Sequence, residues 1–438
     1  MKKKLLFLCA FTLLFTVILT SNVFAKTETP DTSKVENIYV YNVENDKVLF
    51  TKNQKDKVAP ASTVKMMTGI IAIEHYKDRF DEVITIKKEA LEKCKGKKIY
   101  LKEGEIVSIR DLINATVCGG ANDAADVLAY EIAGSIDAFL PMMNDKAKSL
   151  GMKNTNYANP NGYSDSSMYT TAEDTAILAK YVYQNSEFMD ICSKTVYNMP
   201  KNNISKARYI YNSNYFIATN VESKYKNSSV KGMNAGSTVE GGGVLVTSVS
   251  REGVTNIYVM MGAQQDESYI YSYLTADSFI DWSYESFEYK KIVDKGEMVC
   301  EIEVKLSSTV DYVVLSPDKT IEYYLPSDID LNKDIKREIK LFDKKLEAPI
   351  GAGHVAGTMT LSYNGEIIGE VNLITKNNVD RNGVLYLIAR IESLTKSPKF
   401  KITIGCIIIC IALYLIAKAY TKSKNNRYRY GYKRRKKK

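Results

Sequence analysis

Apolar positions between Val35 and Val246 repeat with two different periods. VENIYVYNVENDKVLFTKN, from Val35 to Asn53, alternates and breaks at Glu44-Asn45-Asp46, which predicts two strands around a turn. APASTVKMMTGIIAIEHY places Pro60 ahead of an apolar stretch through Ile73 and predicts a helix. Further helices are expected at Ser108–Thr116, Asn122–Ala133, Ala138–Leu150 and Thr171–Tyr183, and strands at Val244–Ser250 and Asn256–Gly262. Strands at both ends with helices between them predict an α+β fold on an antiparallel sheet.

Beyond Lys290 the rhythm becomes strictly alternating. In VCEIEVKL (299–306), Glu301, Glu303 and Lys305 interleave with Ile302, Val304 and Leu306, and Asn364-Gly365 is a strong hairpin signal. A small all-β domain is expected over 287–380, after a first domain spanning 26–286, with a connector at 381–401. Ile402 to Ala417 then runs without a charge and is apolar on every face, as expected of a transmembrane helix rather than an interfacial one. At 1.5 Å per residue that run covers only ~24 Å of a ~30 Å hydrocarbon core, so the flanking Lys401 and Lys418 would snorkel.

Charge adds a direction to this layout. The N-terminus, MKKKLLFLCAFTLLFTVILTSNVFA, has the three-lysine start, apolar run and small-residue step of a signal peptide ending at Ala25. Residues 418–438 carry eleven Lys and Arg and no acid, so they are expected in the cytoplasm and the body outside the cell. With both ends set aside, the +9 net charge turns negative, which removes the electrostatic case for a nucleic-acid partner. Cys94, Cys118, Cys192 and Cys300 match no metal spacing; one bridge or free buried thiols both fit them, and no cofactor is expected.

Candidate chemistry is narrowed by what is scarce. Only His75 and His354 exist, one in a helical segment and one in a glycine-rich loop, so a Ser-His-Asp triad and a histidine zinc site are both disfavoured. A nucleophilic serine needs another base. Ser62-Thr63-Val64-Lys65 puts a hydroxyl and an amine one helical turn apart on one face. The same spacing recurs at Ser223, Ser228, Ser316 and Ser393, but only Ser62 opens a long apolar helix just after a proline. CGGANDAA (Cys118 to Ala125) is the second constellation, readable as a helix start or as a carboxamide near that pair.

Together these segments resemble the low-molecular-mass penicillin-binding proteins, the D-alanyl-D-alanine carboxypeptidases of serine peptidase family S11, from about Val35 to Val379. PASTVKMMT carries the family's Ser-x-x-Lys, GANDAA stands at its Ser-x-Asn, and VKGMNAGST (Val230 to Thr238) at its Lys-Thr-Gly. NPNGYSDSSMYTTAEDTAILA and LEAPIGAGHVAGTMTLSYNGEIIGEVNLI are similar to later family segments. The resemblance implies a transpeptidase-like domain followed by the all-β domain. It implies Ser62 as nucleophile on the bond between two terminal D-alanines of a peptidoglycan stem peptide, and Lys65 as base. Asn122 would bond Lys65 and the substrate amide, and the N–H groups of Ser62 and Ser237 would hold the oxyanion. Substrate would lie along Asn234, Ala235, Gly236, Ser237 and Thr238, and β-lactams would acylate Ser62.

Two motifs depart from the family pattern. Gly120 stands where the family has a serine, and Asn234-Ala235 where it has Lys-Thr, so a proton-relay hydroxyl and a carboxylate clamp are missing. Lys231, three strand residues away, would point to the opposite face. The expectations are therefore two: a carboxypeptidase weakened by these changes, with Thr238 and a water replacing lost donors, or a non-catalytic, membrane-tethered binding relative.

Overall fold

The structure, a computed structural model, describes residues 28–220 and 223–435. The segment read as a signal peptide lies outside them. The chain divides into two compact units, one built on residues up to 288 with 324–328, the other on 289–323 and from 329 onward.

Five strands form the sheet of the first unit. β1 (Val35–Asn42) and β2 (Lys47–Lys52) come from its start; two small pairs follow, β3 (Val83–Thr85) with β4 (Ile106–Ser108) and β5 (Val196–Met199) with β6 (Arg208–Tyr211). β7 (Val230–Thr238), β8 (Gly242–Arg251) and β9 (Val254–Ala263) complete it in the order β2-β1-β9-β8-β7, every pair antiparallel. β1 is thus hydrogen-bonded to β9, and the two ends of the segment do meet in one sheet.

Both faces of this sheet are covered, which is why β8 and β9 read as nearly unbroken apolar runs. Val244, Val246, Ile257, Val259 and Met261 face one core; Leu245, Val249, Tyr258 and Met260 face the other. Helices Val64–His75, Ile109–Val117, Asn122–Ala133, Ile136–Leu150, Ala172–Tyr183 and Ser186–Cys192 contribute to the first core. A helix over Tyr271–Ser286 closes the second with Tyr273, Ala276, Phe279 and Ile280. The hydrophobic pattern does not predict that last helix, because its buried stripe also includes Ser272, Thr275 and Ser283.

In the second unit six strands form one sheet. Their order is Ile335–Leu341, Val355–Tyr363, Glu366–Thr375, Tyr312–Pro317, Cys300–Lys305 and Lys345–Glu347, with only the last pair parallel. Ile302 and Val304 are buried while Glu301 and Lys305 stay exposed, the expected alternation. Asn364 and Gly365 turn the hairpin with φ of 49° and 84°, the type I′ geometry.

The segment read as a connector is itself helical over Gly383–Lys396, its first turn capped by the Asn382 side chain accepting from the Val384 and Leu385 N–H groups. The final helix, Pro398–Arg435, contains within Pro398–Ser423 an 18-residue apolar window of mean hydropathy 2.5, none of it buried. Helix continues on both sides of the uncharged Ile402–Ala417, so the helical stretch Pro398–Ser423 is ~39 Å long and, by length and composition, long enough to cross a membrane.

Candidate active site

Ser62 lies in a tight 3-10 turn, Ala61–Thr63, that runs straight into the Val64–His75 helix. The Thr63 hydroxyl donates to the Pro60 carbonyl at 2.7 Å and fixes the turn, and Ala61 takes a positive φ of 46°. A non-glycine residue in that region stores strain, and here it sits beside the nucleophile candidate. The Ser62 hydroxyl faces strand β7. A Cβ built on Gly236 would fall 2.2 Å from its Oγ and 2.6 Å from its Cβ, so only glycine lets the edge strand come this close.

Lys65 is 1% exposed although it is the only lysine in its helix. Its ammonium donates to the Asn161 carbonyl at 2.5 Å. Asn161 is itself fully used: its Nδ2 donates to both oxygens of Asp126, at 2.7 and 3.0 Å, and its Oδ1 accepts from the Tyr163 N–H at 2.8 Å. Burial, then the nearby positive charge of Lys97, push the Lys65 amine down to about 7. Burial pushes the Asp126 carboxyl up to about 6. A lysine near 7 is half deprotonated at neutral pH and can act as a base. Ser62 and Lys65 do not hydrogen-bond to each other here; such contacts commonly tighten only when substrate binds.

Asn122 and Asp123 do something the sequence does not announce. The N-cap of their helix is Ala121, which has no side chain to cap with, so neither residue serves as that cap. Asn122 instead grips the loop between β3 and β4: its N–H donates to the Lys97 carbonyl at 2.8 Å and its Nδ2 to the Lys95 carbonyl at 2.6 Å. Asp123 accepts from the Ile99 and Leu101 N–H groups at 3.2 and 3.0 Å. The expected bond from Asn122 to Lys65 is not formed: Asn122 turns its amide Nδ2 to the Lys95 carbonyl, and Lys65 donates to the Asn161 carbonyl instead.

On β7, cross-strand partners share a face. Asn234 pairs with Val246 and Gly236 with Val244, which places both on the side of Ser62; Ala235 pairs with Leu245 and packs toward the Tyr271–Ser286 helix. Asn234 is 1% exposed, and its Oδ1 has no hydrogen-bond partner. Ser237 is exposed, and the Thr238 hydroxyl accepts from the Gly241 N–H at 2.9 Å. Lys231 is exposed.

A serine facing a glycine edge strand and a buried lysine with a lowered pKa lie in one region of the first unit. The model of D-alanyl-D-alanine carboxypeptidases, peptidase family S11, matches residues 24–265. The chain belongs to this family. A second model, the C-terminal domain of penicillin-binding protein 5, matches residues 287–381. D-alanyl-D-alanine carboxypeptidase DacF of Bacillus subtilis is 27% identical over 80% of this chain and 87% of its own length. Carboxypeptidase DacC of Escherichia coli is 27% identical over 77% of this chain and 82% of its own. Among solved structures, penicillin-binding protein 5 of Haemophilus influenzae superposes with a TM-score of 0.58 at 25% identity, covering 81% of this chain and all of its own. The carboxypeptidase DacD of Francisella tularensis, at 22% identity and TM-score 0.61 over 83% of this chain and 97% of its own, shares the fold.

In this S11 chain the structure brings Ser62 and Gly236 together and buries Lys65 one turn away, while Gly120 has no side chain to relay a proton and Asn234 and Ala235 carry neither the ammonium nor the hydroxyl of the family clamp. Sequence reasoning missed Asp126 and Asn161. Asp126 lies four residues after Asn122 on one helix, a spacing that places both on one face. Asn161 sits in Asn159-Pro160-Asn161-Gly162, which reads only as a turn. Among the described residues of the first unit, Cys94, Cys118 and Cys192 are buried free thiols.

Proposed function

We propose that this chain is a serine-type D-alanyl-D-alanine carboxypeptidase of peptidoglycan metabolism, with Ser62 as nucleophile and Lys65 as base. The observation that carries this reading is the buried Lys65 amine, brought down to about 7 one helical turn from a serine that faces a glycine edge strand. Lys65 takes the Ser62 proton as Oγ bonds to the carbonyl carbon between the two D-alanines. The oxyanion is held by the Ser62 and Ser237 N–H groups. The C–N bond breaks, the proton goes to the departing D-alanine, and water hydrolyses the acyl-enzyme.

The strained amide of a β-lactam would acylate Ser62 by the same route. An apolar C-terminal helix followed by a basic tail supports a membrane anchor with the tail in the cytoplasm and the catalytic unit outside, where stem peptides are. The test is to incubate the full chain in detergent with a fluorescent penicillin and with a pentapeptide ending in D-Ala-D-Ala, beside Ser62→Ala. Labelling and D-alanine release that vanish in the variant support the reading. No release above the variant would leave a binding protein on the family fold.

A further inference from the structure

Gly120 lies at φ +67°, and two polar side chains border the space its missing side chain leaves. A Cβ there would stand 3.2 Å from Ser213 Cβ, 3.5 Å from Ser213 Oγ and 3.9 Å from Lys97 Nζ. Two side chains from outside the three motifs therefore converge on the vacancy. Both are held by backbone hydrogen bonds. The loop of Lys97 is gripped by Asn122 and Asp123 as described, and the Ser213 N–H donates to the Cys118 carbonyl at 2.8 Å.

Among the described residues neither group has a hydrogen-bond partner. Ser213 is 8% exposed, and its buried hydroxyl makes no hydrogen bond. A buried hydroxyl left unsatisfied costs stability, so its retention points to a ligand that completes it. Among the described residues Lys97 forms no ion pair, though the residue as a whole remains exposed and open to solvent. Crowding by protein lowers its pKa, as expected for an ammonium that lacks a counter-charge.

The groups missing from β7 are an ammonium and a hydroxyl; the groups converging on Gly120 are an ammonium and a hydroxyl. We propose that Lys97 and Ser213 form a carboxylate-binding pair that receives the C-terminal carboxylate of the peptide in place of the clamp that β7 lacks. This rests on the carboxypeptidase reading for the identity of the ligand. A carboxylate offers two oxygens, one to accept from Nζ and one from the Ser213 hydroxyl, and it neutralises the positive charge beside Lys65. A serine at 120 would have to adopt a left-handed backbone and press its Cβ to 3.2 Å from that of Ser213, so it would compete with the pair for this space.

Binding is measured on full-length Ser62→Ala protein in detergent, by calorimetry, with the D-Ala-D-Ala pentapeptide and with its C-terminal amide. The free acid should bind more tightly. Lys97→Gln should reduce that preference by about 10- to 150-fold, and Ser213→Ala by about 3- to 10-fold, as expected for a charge-assisted and a neutral hydrogen bond. Lys97→Arg should restore part of it. Unchanged melting temperatures would show that the variants fold. Equal affinity for acid and amide, or a preference indifferent to both substitutions, overturns the pair. The two readings separate cleanly. If the wild-type chain releases D-alanine while the preference ignores Lys97 and Ser213, the pair falls and the activity stands. If it releases none but the Lys97-dependent preference is present, the pocket stands and the activity falls.

Discussion

Lys65 and Asn234 are both 1% exposed and both face the cleft beside Ser62, yet the protein treats them differently. Lys65 is held by a carbonyl, the residue bearing that carbonyl is held by a carboxylate, and three separate segments of chain converge to do it. Asn234 has an acceptor atom with no partner among the described residues. Buried polar groups are ordinarily satisfied, so the contrast separates a region whose chemistry the fold maintains from one where it does not. The maintained half holds the proposed nucleophile and base; the other half is where the resemblance places the carboxylate clamp.

The sharpest way to break this comparison is to remove the base. Lys65→Ala should slow acylation by a fluorescent penicillin about 10²- to 10⁴-fold, the range for a positioned general base. A loss under tenfold would mean that the buried amine is structural. Next comes the approach of β7. Gly236→Ala forces a methyl group to within 2.2 Å of the Ser62 hydroxyl, and a displaced nucleophile should cost about 10²-fold in the same assay.

The charges around Lys65 make a smaller, signed prediction. Lys65 acts as a base only when unprotonated, and its amine lies at about 7, so acylation should rise with pH through about 7. The Lys97 charge lowers that value and the Asp126 charge raises it. Lys97→Gln should therefore move the acid limb to higher pH and cut the rate at pH 7 by up to about tenfold, whereas Asp126→Asn should move the limb to lower pH. Rate–pH profiles that coincide with wild type would show that neither charge reaches the base. The smallest effect is expected from rebuilding the family clamp. Asn234→Lys with Ala235→Thr should change D-alanine release less than about threefold, because Ala235 is packed in the core behind the sheet. It should lower the melting temperature, since overpacking typically costs about 1–3 kcal/mol. A large gain would show that the scaffold still aligns side chains at these positions.

Much of the fold was readable because its signals are local. Pairs of strands around polar turns, helices with clear apolar stripes and the Asn364-Gly365 hairpin all depend on neighbours within a few residues. The Tyr271–Ser286 helix escaped because serine and threonine fill part of its buried face, and burial there is set by the sheet it covers. Ser62 and Lys65 were legible for the same reason as the hairpin: one helical turn relates them. Asp126, Asn161, Lys97 and Ser213 carry no motif, and each reaches the site from a different segment.

The sequence by itself determined which groups this protein has and which it lacks: a serine and lysine at helical spacing, a glycine at 120, and Asn-Ala where a clamp would stand. Spacing along a helix or strand is enough to fix such relations, since the backbone period sets the face. Only the tertiary structure decided what the lysine's amine is worth as a base, because burial and the charges of Lys97 and Asp126 set that value. It also brought Lys97 and Ser213, from two distant loops, to the edge of the gap at Gly120, a convergence that no periodicity along the chain encodes.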